Sequence, residues 1–283
     1  MQSKQISIRE VAGLNEARFV EIFGVIYEQS PWIALEIFSK QHFPTIADLA
    51  GAMREVVSTA NLTQKLDLLR AHPDLVGRLA REGMLTKESS SEQSAAGLDQ
   101  VTPDEAAAFQ RWNAEYQEKF GFPFIICVRK NRKERILQVF PERLARLQIE
   151  EQEAALAEVH QIAALRLTDL LVEGKITTHV LDIAQGAPAA GVGVRLEQID
   201  AERNRHLLGQ WKTNADGRVD SPLLEGTAFM PGCYELTFAV GEYFASTPGI
   251  LDDIPIRVRL SEERHYHIPL LVSPWAYSTY RGS

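Results

Sequence analysis

Two hydrophobic periods divide this chain. Up to about residue 172 apolar residues recur every three to four positions, and from Ile176 they alternate. Ser7-Ile-Arg-Glu10 has the spacing of a capping box. From Asn15 an apolar stripe runs through Ala17, Val20, Phe23, Gly24 and Tyr27, and Pro31 restarts the pattern as far as Phe38. Thr45 to Ala60 and Thr63 to Arg70 read as further amphipathic helices. Thr102-Pro103-Asp104-Glu105 is a strong helix start: an N-cap hydroxyl, proline in the first turn, and carboxylates at the positive end. That helix is expected to reach Phe120. A short apolar segment follows, Phe122 to Val128, and then the basic run Arg129 to Lys133, which reads as a solvated turn. A long helix from Glu150 to Val172 carries Leu156, Val159, Ile162, Ala163, Leu167 and Leu170 on one face.

From Ile176 the period is two. Thr177 to Leu181, Val192 to Gln198, His206 to Lys212, Tyr234 to Val240, Ile254 to Leu260 and His265 to Val272 are expected strands, separated by Gly, Pro, Asn and Asp turns. Residues 1–173 hold 13 glycines and prolines, and the shorter remainder holds 18, which agrees with the change of period. The expected fold is therefore two domains: an N-terminal all-α helical bundle over 1–172, a linker at 173–175, and a C-terminal all-β sandwich over 176–283.

Composition narrows the partners. The 283 residues are 45% hydrophobic and 24% charged, an ordinary globular balance. Net charge is −8 and both halves are mildly acidic, which argues against nucleic acid or an anionic membrane as partner. No apolar run approaches the length of a membrane span, and the first residues read as neither signal nor transit peptide, so a cytoplasmic location is expected. Two cysteines are too few for a disulfide framework.

Two polar stretches interrupt the helical pattern. In Ala71-His72-Pro73-Asp74-Leu75 the histidine precedes proline and so leaves the α region, ending a helix with its imidazole on a restricted backbone. Taken alone, such a residue is better explained by helix punctuation. In Ser89-Ser-Ser-Glu92-Gln93-Ser-Ala-Ala-Gly-Leu98, Glu92 lies three residues after Ser89, a spacing that helix capping also explains. The combination is more specific. The AHPDL-G element (Ala71 to Gly77), S-x-x-EQ-x-x-AGL (Ser89 to Leu98), GFPFI (Gly121 to Ile125) and Leu165-Arg166-Leu167 occur in that order over the helical half. Together they resemble the 2-oxo-4-hydroxy-4-carboxy-5-ureidoimidazoline (OHCU) decarboxylases of urate breakdown. The resemblance implies an all-helical, cofactor-free decarboxylase, usually dimeric. His72 would do acid–base work and Glu92 would orient it or polarise the substrate. Pro73, Ser89, Gln93, Phe124, Ile125 and Arg166 would bind substrate, with the Arg166 guanidinium suited to a carboxylate or ureido oxygen. An arginine between two leucines also invites a structural ion pair.

The second half opens on Thr177-Thr-His179-Val-Leu181-Asp182, in which Thr177, His179 and Leu181 share one strand face. It continues through Thr213-Asn-Ala-Asp-Gly-Arg218 and closes on His265-Tyr-His267-Ile-Pro-Leu-Leu and Tyr280-Arg281-Gly282-Ser283. These elements resemble the transthyretin-like 5-hydroxyisourate hydrolases. The resemblance implies a homotetrameric sandwich with sites between subunits. His179, Arg218 and His267 would surround the substrate, and Tyr280, Arg281, Gly282 and Ser283 would close the site. Which histidine is the base stays open, and His265 reads as supporting. His179, His265 and His267 could in principle form a three-histidine metal site, but the carboxylate and cysteine ligands that usually accompany one are missing, so no metal is expected. The two resemblances converge on 5-hydroxyisourate and OHCU as successive small-molecule substrates, with (S)-allantoin as product. The rival readings are a small-ligand carrier fused to a helical interaction domain, and a fusion in which only one half is active.

Overall fold

The computed structural model describes residues 5–40, 42–75 and 101–282. The chain forms two compact units. One comprises residues 13–42 and 47–170, and the other residues 1–12, 43–46 and 171–283.

The first unit is helical. Its helices are α2 (Glu16–Phe23), α3 (Pro31–Phe38), α4 (Ile46–Thr59, whose first residue belongs to the other unit), α5 (Leu62–Arg70), α6 (Pro103–Phe120), α7 (Lys133–Leu144) and α8 (Gln148–Leu170); α1 (Ile8–Val11) belongs to the other unit. The boundaries follow from side-chain capping. Asn15 and Asn61 accept from the backbones of Arg18 and Gln64, and Thr102 and Glu105 form a complete capping box. Gly121 ends α6 in the left-handed region at φ 76°, where a glycine carries no Cβ penalty. The expected helix from Asn15 to Tyr27 stops earlier, at Phe23. Helix α7 begins at the end of the expected charged turn and fills a stretch for which no element is expected, with Pro141 inside it. Behind α6 lies an aromatic core in which the Phe124 and Phe140 rings stack at 3.9 Å and Tyr116 meets Phe120, Phe122 and Phe124. The Glu151 carboxylate, fully buried beneath this core, takes hydrogen bonds from Tyr116 and Arg143.

The second unit is a sandwich. A parallel pair joins β1 (Ile6–Ser7) to β2 (Leu171–Val172), so the N-terminal segment packs with the β half. Next in the chain come β3 (Lys175–Thr177), β4 (Val180–Asp182), β5 (Ala187–Pro188), β6 (Gly193–Ile199), β7 (Arg205–Lys212) and β8 (Leu224–Glu225). They are followed by β9 (Gly232–Ala239), a short helix α9 (Val240–Tyr243), β10 (Asp253–Leu260), β11 (His265–His267), β12 (Leu270–Val272) and β13 (Tyr277–Thr279). One layer has the antiparallel order β10-β9-β6-β7; the other is built of β11-β3-β8 and β13-β12-β4-β5. Val194, Leu196, Leu236 and Phe238 from the first layer pack with Ile176, Val180, Leu270 and Val272 from the second. Two of the expected strands are each broken in two. Thr177 to Leu181 is divided between β3 and β4, and His265 to Val272 between β11 and β12, because Pro269 supplies no ladder donor. The Thr178 hydroxyl, donating to Ile268 O at 2.7 Å, holds the two breaks side by side.

Candidate active sites

In the helical unit α5 ends at Arg70, and the chain turns under Pro73. The His72 N–H donates to Leu69 O, and the imidazole folds back with Nδ1 2.9 Å from Leu68 O. A carbonyl can only accept, so Nδ1 carries the proton and Nε2 holds the lone pair. His72 is 9% exposed, and burial lowers its pKa from the ordinary 6.5 to about 4. The Leu68 carbonyl and the Glu28 carboxylate act against that shift, whereas Arg166 adds to it. The imidazole is therefore neutral at pH 7 and shares an electrostatic neighbourhood with a carboxylate and a guanidinium. Pro73 beside it is half-buried.

Arg166, buried on α8, places Nη1 3.1 Å from Glu28 Oε2 and 3.4 Å from Ile26 O. Glu28 lies in the connection between α2 and α3, next to Gln29, whose φ of 44° is left-handed and costs about 1–2 kcal/mol. Tyr27 in the same connection places its hydroxyl 2.8 Å from His160 Nδ1, and burial followed by the Arg54 charge lowers the His160 pKa to about 4. Neither Glu28 nor the Tyr27–His160 pair carries a sequence signal, since a lone carboxylate before Pro31 looks like any surface residue. Phe124 and Ile125 lie in the core. The Phe124 ring is sandwiched between Phe140 and the Arg143 guanidinium, and Ile125 O accepts from Arg143 at 2.6 Å. Glu92, Ser89 and Gln93 lie outside the described residues.

In the β unit the site elements converge through backbone pairing. His179 and Arg218 form an isolated antiparallel bridge, and His267 forms another with Gly282. The turn that presents Arg218 is built by Asn214, whose Oδ1 accepts from the backbones of Asp216 and Arg218. Gly217 there has φ +70°, and a Cβ on it would stand 2.3 Å from Val180 O and 3.2 Å from His179 Cδ2. Only glycine lets Arg218 come this close to His179. At the other end, Gly282 donates to His267 O at 2.9 Å, and a Cβ on it would stand 2.5 Å from His267 Cδ2. The terminal segment thus lies against the His267 ring.

All three histidines of this face have lowered pKa values. For His179 the causes are burial and then Arg218; for His267 they are burial, then Arg218, His265 and His179; for His265, burial and then Lys175. His179 Nε2 is buried without a hydrogen-bond partner among the described residues. A buried ring nitrogen left so is an exception to the rule that buried polar groups are paired, and it lies in the candidate site. Arg218 is exposed. Tyr280 and Arg281 take a different direction from Gly282. They line a concavity of about 420 Å³ beside β10 with Arg257, Arg259 and Arg264, and the Arg281 guanidinium stands 5.9 Å from the Tyr266 ring centroid. Ser283 lies outside the described residues. Among the described residues no cluster of three or more His, Cys, Asp or Glu side chains could hold a metal ion.

Fold and sites together define a chain of two enzyme-like units, a helical one around a buried neutral imidazole and a β-sandwich with a histidine–arginine–histidine set. Residues 12–168 match the family model for OHCU decarboxylase, and residues 176–282 that of the HIUase/Transthyretin family; the chain belongs to both families. It is 39% identical over 166 residues to the 2-oxo-4-hydroxy-4-carboxy-5-ureidoimidazoline decarboxylase of Amia calva, an alignment covering 59% of this chain and 95% of that protein. It is 50% identical over 116 residues to the 5-hydroxyisourate hydrolase of Mesorhizobium japonicum, covering 39% of this chain and 93% of that protein. A crystal structure of (S)-allantoin synthase aligns with 98% of this chain and 100% of its own, at 34% identity and a TM-score of 0.51.

Proposed function

We propose that the chain is a bifunctional enzyme of urate degradation, hydrolysing 5-hydroxyisourate to OHCU and decarboxylating OHCU to (S)-allantoin. The observation that carries this reading is the full-length match to (S)-allantoin synthase, together with the two family domains on one chain.

In the helical unit the substrate carries a hydroxyl and a carboxylate on one carbon. As CO2 leaves, its electron pair moves into the neighbouring unsaturated bond and an enol-like species forms. Neutral His72 takes the hydroxyl proton on Nε2 and returns it to the adjacent carbon from one face, while the ring nitrogen that received the electron pair takes a further proton from water, so protons balance and one stereoisomer results. Glu92 orients this exchange. Arg166, positioned by Glu28, holds an anionic oxygen of the substrate, assisted by Pro73, Ser89, Gln93 and the segment around Phe124 and Ile125. In the β unit a water attacks the ring carbonyl while one of the neutral imidazoles of His179 and His267 takes its proton; the ring C–N bond then breaks and the imidazolium returns that proton to the leaving nitrogen. Arg218 offsets the developing oxyanion, and Tyr280 to Ser283 close the site.

The assembly we propose combines decarboxylase dimers with hydrolase tetramers, the hydrolase sites lying between copies, in the cytoplasm. The exposure of Trp275, Tyr277 and Tyr280 leaves large aromatic side chains for a second copy to cover, which supports such an assembly. The test is to generate hydroxyisourate in situ from urate and to follow its absorbance and the circular dichroism of the product. Accelerated decay to optically active allantoin is expected. Decay at the spontaneous rate, or racemic product, would overturn the reading.

A further inference from the structure

Strand β3 runs parallel to β11 in a register that pairs His267 with Thr177 and His265 with Lys175. Strand parity then puts Thr177, His265 and His267 on one face, while Ile176 and Tyr266 enter the core. The Thr177 hydroxyl lies 2.7 Å from His265 Nε2 and 2.9 Å from His267 Nδ1, so a single oxygen bridges two imidazoles.

A hydroxyl has one proton to give. With both rings neutral and the hydroxyl proton kept in the bridge, Thr177 donates to one of the facing nitrogens and accepts from the other. The tautomers of His265 and His267 are therefore locked together: both rings carry their proton on Nδ1, or both carry it on Nε2. In one arrangement His267 Nδ1–H donates to Thr177, Thr177 donates to His265 Nε2, and His267 Nε2 keeps its lone pair. In the other every bond is reversed, and His267 Nε2 bears a proton. The surroundings choose between them. The Cδ2 atom, bonded to Nε2, faces the Gly282 backbone, and His267 senses the charge of Arg218. The Nε2 edge thus faces the site, and the guanidinium beside it disfavours a proton there. When Nε2 does take a proton from the attacking water, the first arrangement needs no rearrangement, because Nδ1–H already donates to Thr177. The second has no lone pair on Nε2 to receive it.

We infer that Thr177 is a positioning residue of the hydrolase site: its hydroxyl, relayed to His265, holds His267 with Nδ1 protonated and Nε2 as the acceptor of the water proton. This deepens the proposed hydrolase reading and rests on it. It assigns the base, and it gives His265 a defined place behind the base.

The groups facing the pair are few. His179 and Arg218 lie on the site side, Lys175 of β3 acts on His265, and Glu225 of β8 pairs with that lysine at 3.2 Å. The test uses Thr177→Val and Thr177→Ser in the full chain. Valine keeps the strand shape and removes the bridge; serine restores the hydroxyl. For hydroxyisourate hydrolysis Thr177→Val should lower kcat by about tenfold or more with KM nearly unchanged, since a wrong tautomer costs up to about 10⁴-fold where the lost partner is a carboxylate and a neutral hydroxyl gives less. Thr177→Ser should recover most of the rate. Independently of turnover, long-range ¹H–¹⁵N NMR of the wild type should show His267 Nε2 unprotonated at pH 7.5, and in Thr177→Val a mixture of tautomers. An unchanged kcat in Thr177→Val, or His267 Nε2 protonated in the wild type, would overturn the assignment. If the wild type does not hydrolyse hydroxyisourate, the functional reading fails, and the NMR tautomers still decide whether Thr177 sets the pair.

Discussion

For single residues, the chemistry depends on imidazoles kept neutral. Buried His72 and half-buried His160 both have pKa values lowered from 6.5 to about 4, so the unfolded chain binds more protons than the folded one between those limits. Their contribution to stability is fully present above pH 6.5 and is lost as pH falls toward 4. Chemical denaturation of the helical unit between pH 7.5 and 4.5 should show that loss, and His160→Gln should flatten it; equal curves for the two proteins would contradict the assignment. His72→Asn should cut OHCU decarboxylation by roughly 10²-fold or more while far-ultraviolet circular dichroism stays native. Near-normal turnover by a folded variant would remove His72 from the mechanism. In the hydrolase, the lowered pKa values of His179 and His267 predict kcat/KM flat across neutral pH and falling only on acidification below the ordinary histidine range. A fall beginning above pH 7 would contradict neutral imidazoles. Of these residues His72, His179 and His267 are singled out in the sequence by the family motifs that hold them, AHPDL-G, TTHVLD and HYHIPLL. Glu28 and His160 are not, since their partners, Arg166 and Tyr27, lie 138 and 133 positions away in the chain.

Among the elements, periodicity and capping residues locate most helices, and Thr102 to Phe120 is the clearest example. Helix α7 escapes because Pro141 and a dense charge run obscure its apolar face, which holds only Ile136 and Phe140 in the core. Its last turn nevertheless carries Arg143, whose pair with buried Glu151 fastens α7 to α8 under the aromatic core. Glu151→Ala strands that guanidinium and should destabilise the helical unit by about 3–5 kcal/mol, read as a lowered denaturation midpoint. A loss below about 1 kcal/mol would show that the pair adds little. In the sandwich, the breaks between β3 and β4 and between β11 and β12 depend on Pro269 and on cross-strand bonds, which alternation alone does not reveal. A Cβ at Gly217 would strike Val180 O next to His179, and one at Gly282 would strike the His267 ring. Gly217→Ala should therefore abolish hydroxyisourate hydrolysis and leave OHCU decarboxylation in place. Loss of both activities would mean that the turn supports more than the hydrolase site.

In the molecule as a whole, two families share one chain, and in the proposed function the product of one reaction is the substrate of the other. Linking them raises the local concentration of the second site around an intermediate that decays by itself. The change of period near residue 174 makes the two architectures visible in the sequence. The packing of residues 1–12 and 43–46 with the β half is not visible there, because the contacts of Ser7 with Glu263 and of Thr227 with Pro44 join positions with no shared local pattern. The proposed function stands on two separable active sites acting in succession. A complementation experiment tests it: His72→Asn and a variant lacking residues 280–283 are each supplied with hydroxyisourate made in situ while absorbance and circular dichroism are followed. His72→Asn should accumulate OHCU, and the truncated chain should leave hydroxyisourate to decay spontaneously. Mixing the two should restore fast formation of optically active allantoin. If either variant alone matched the wild type in both steps, or if the mixture gave racemic product, two successive sites on this chain would be contradicted.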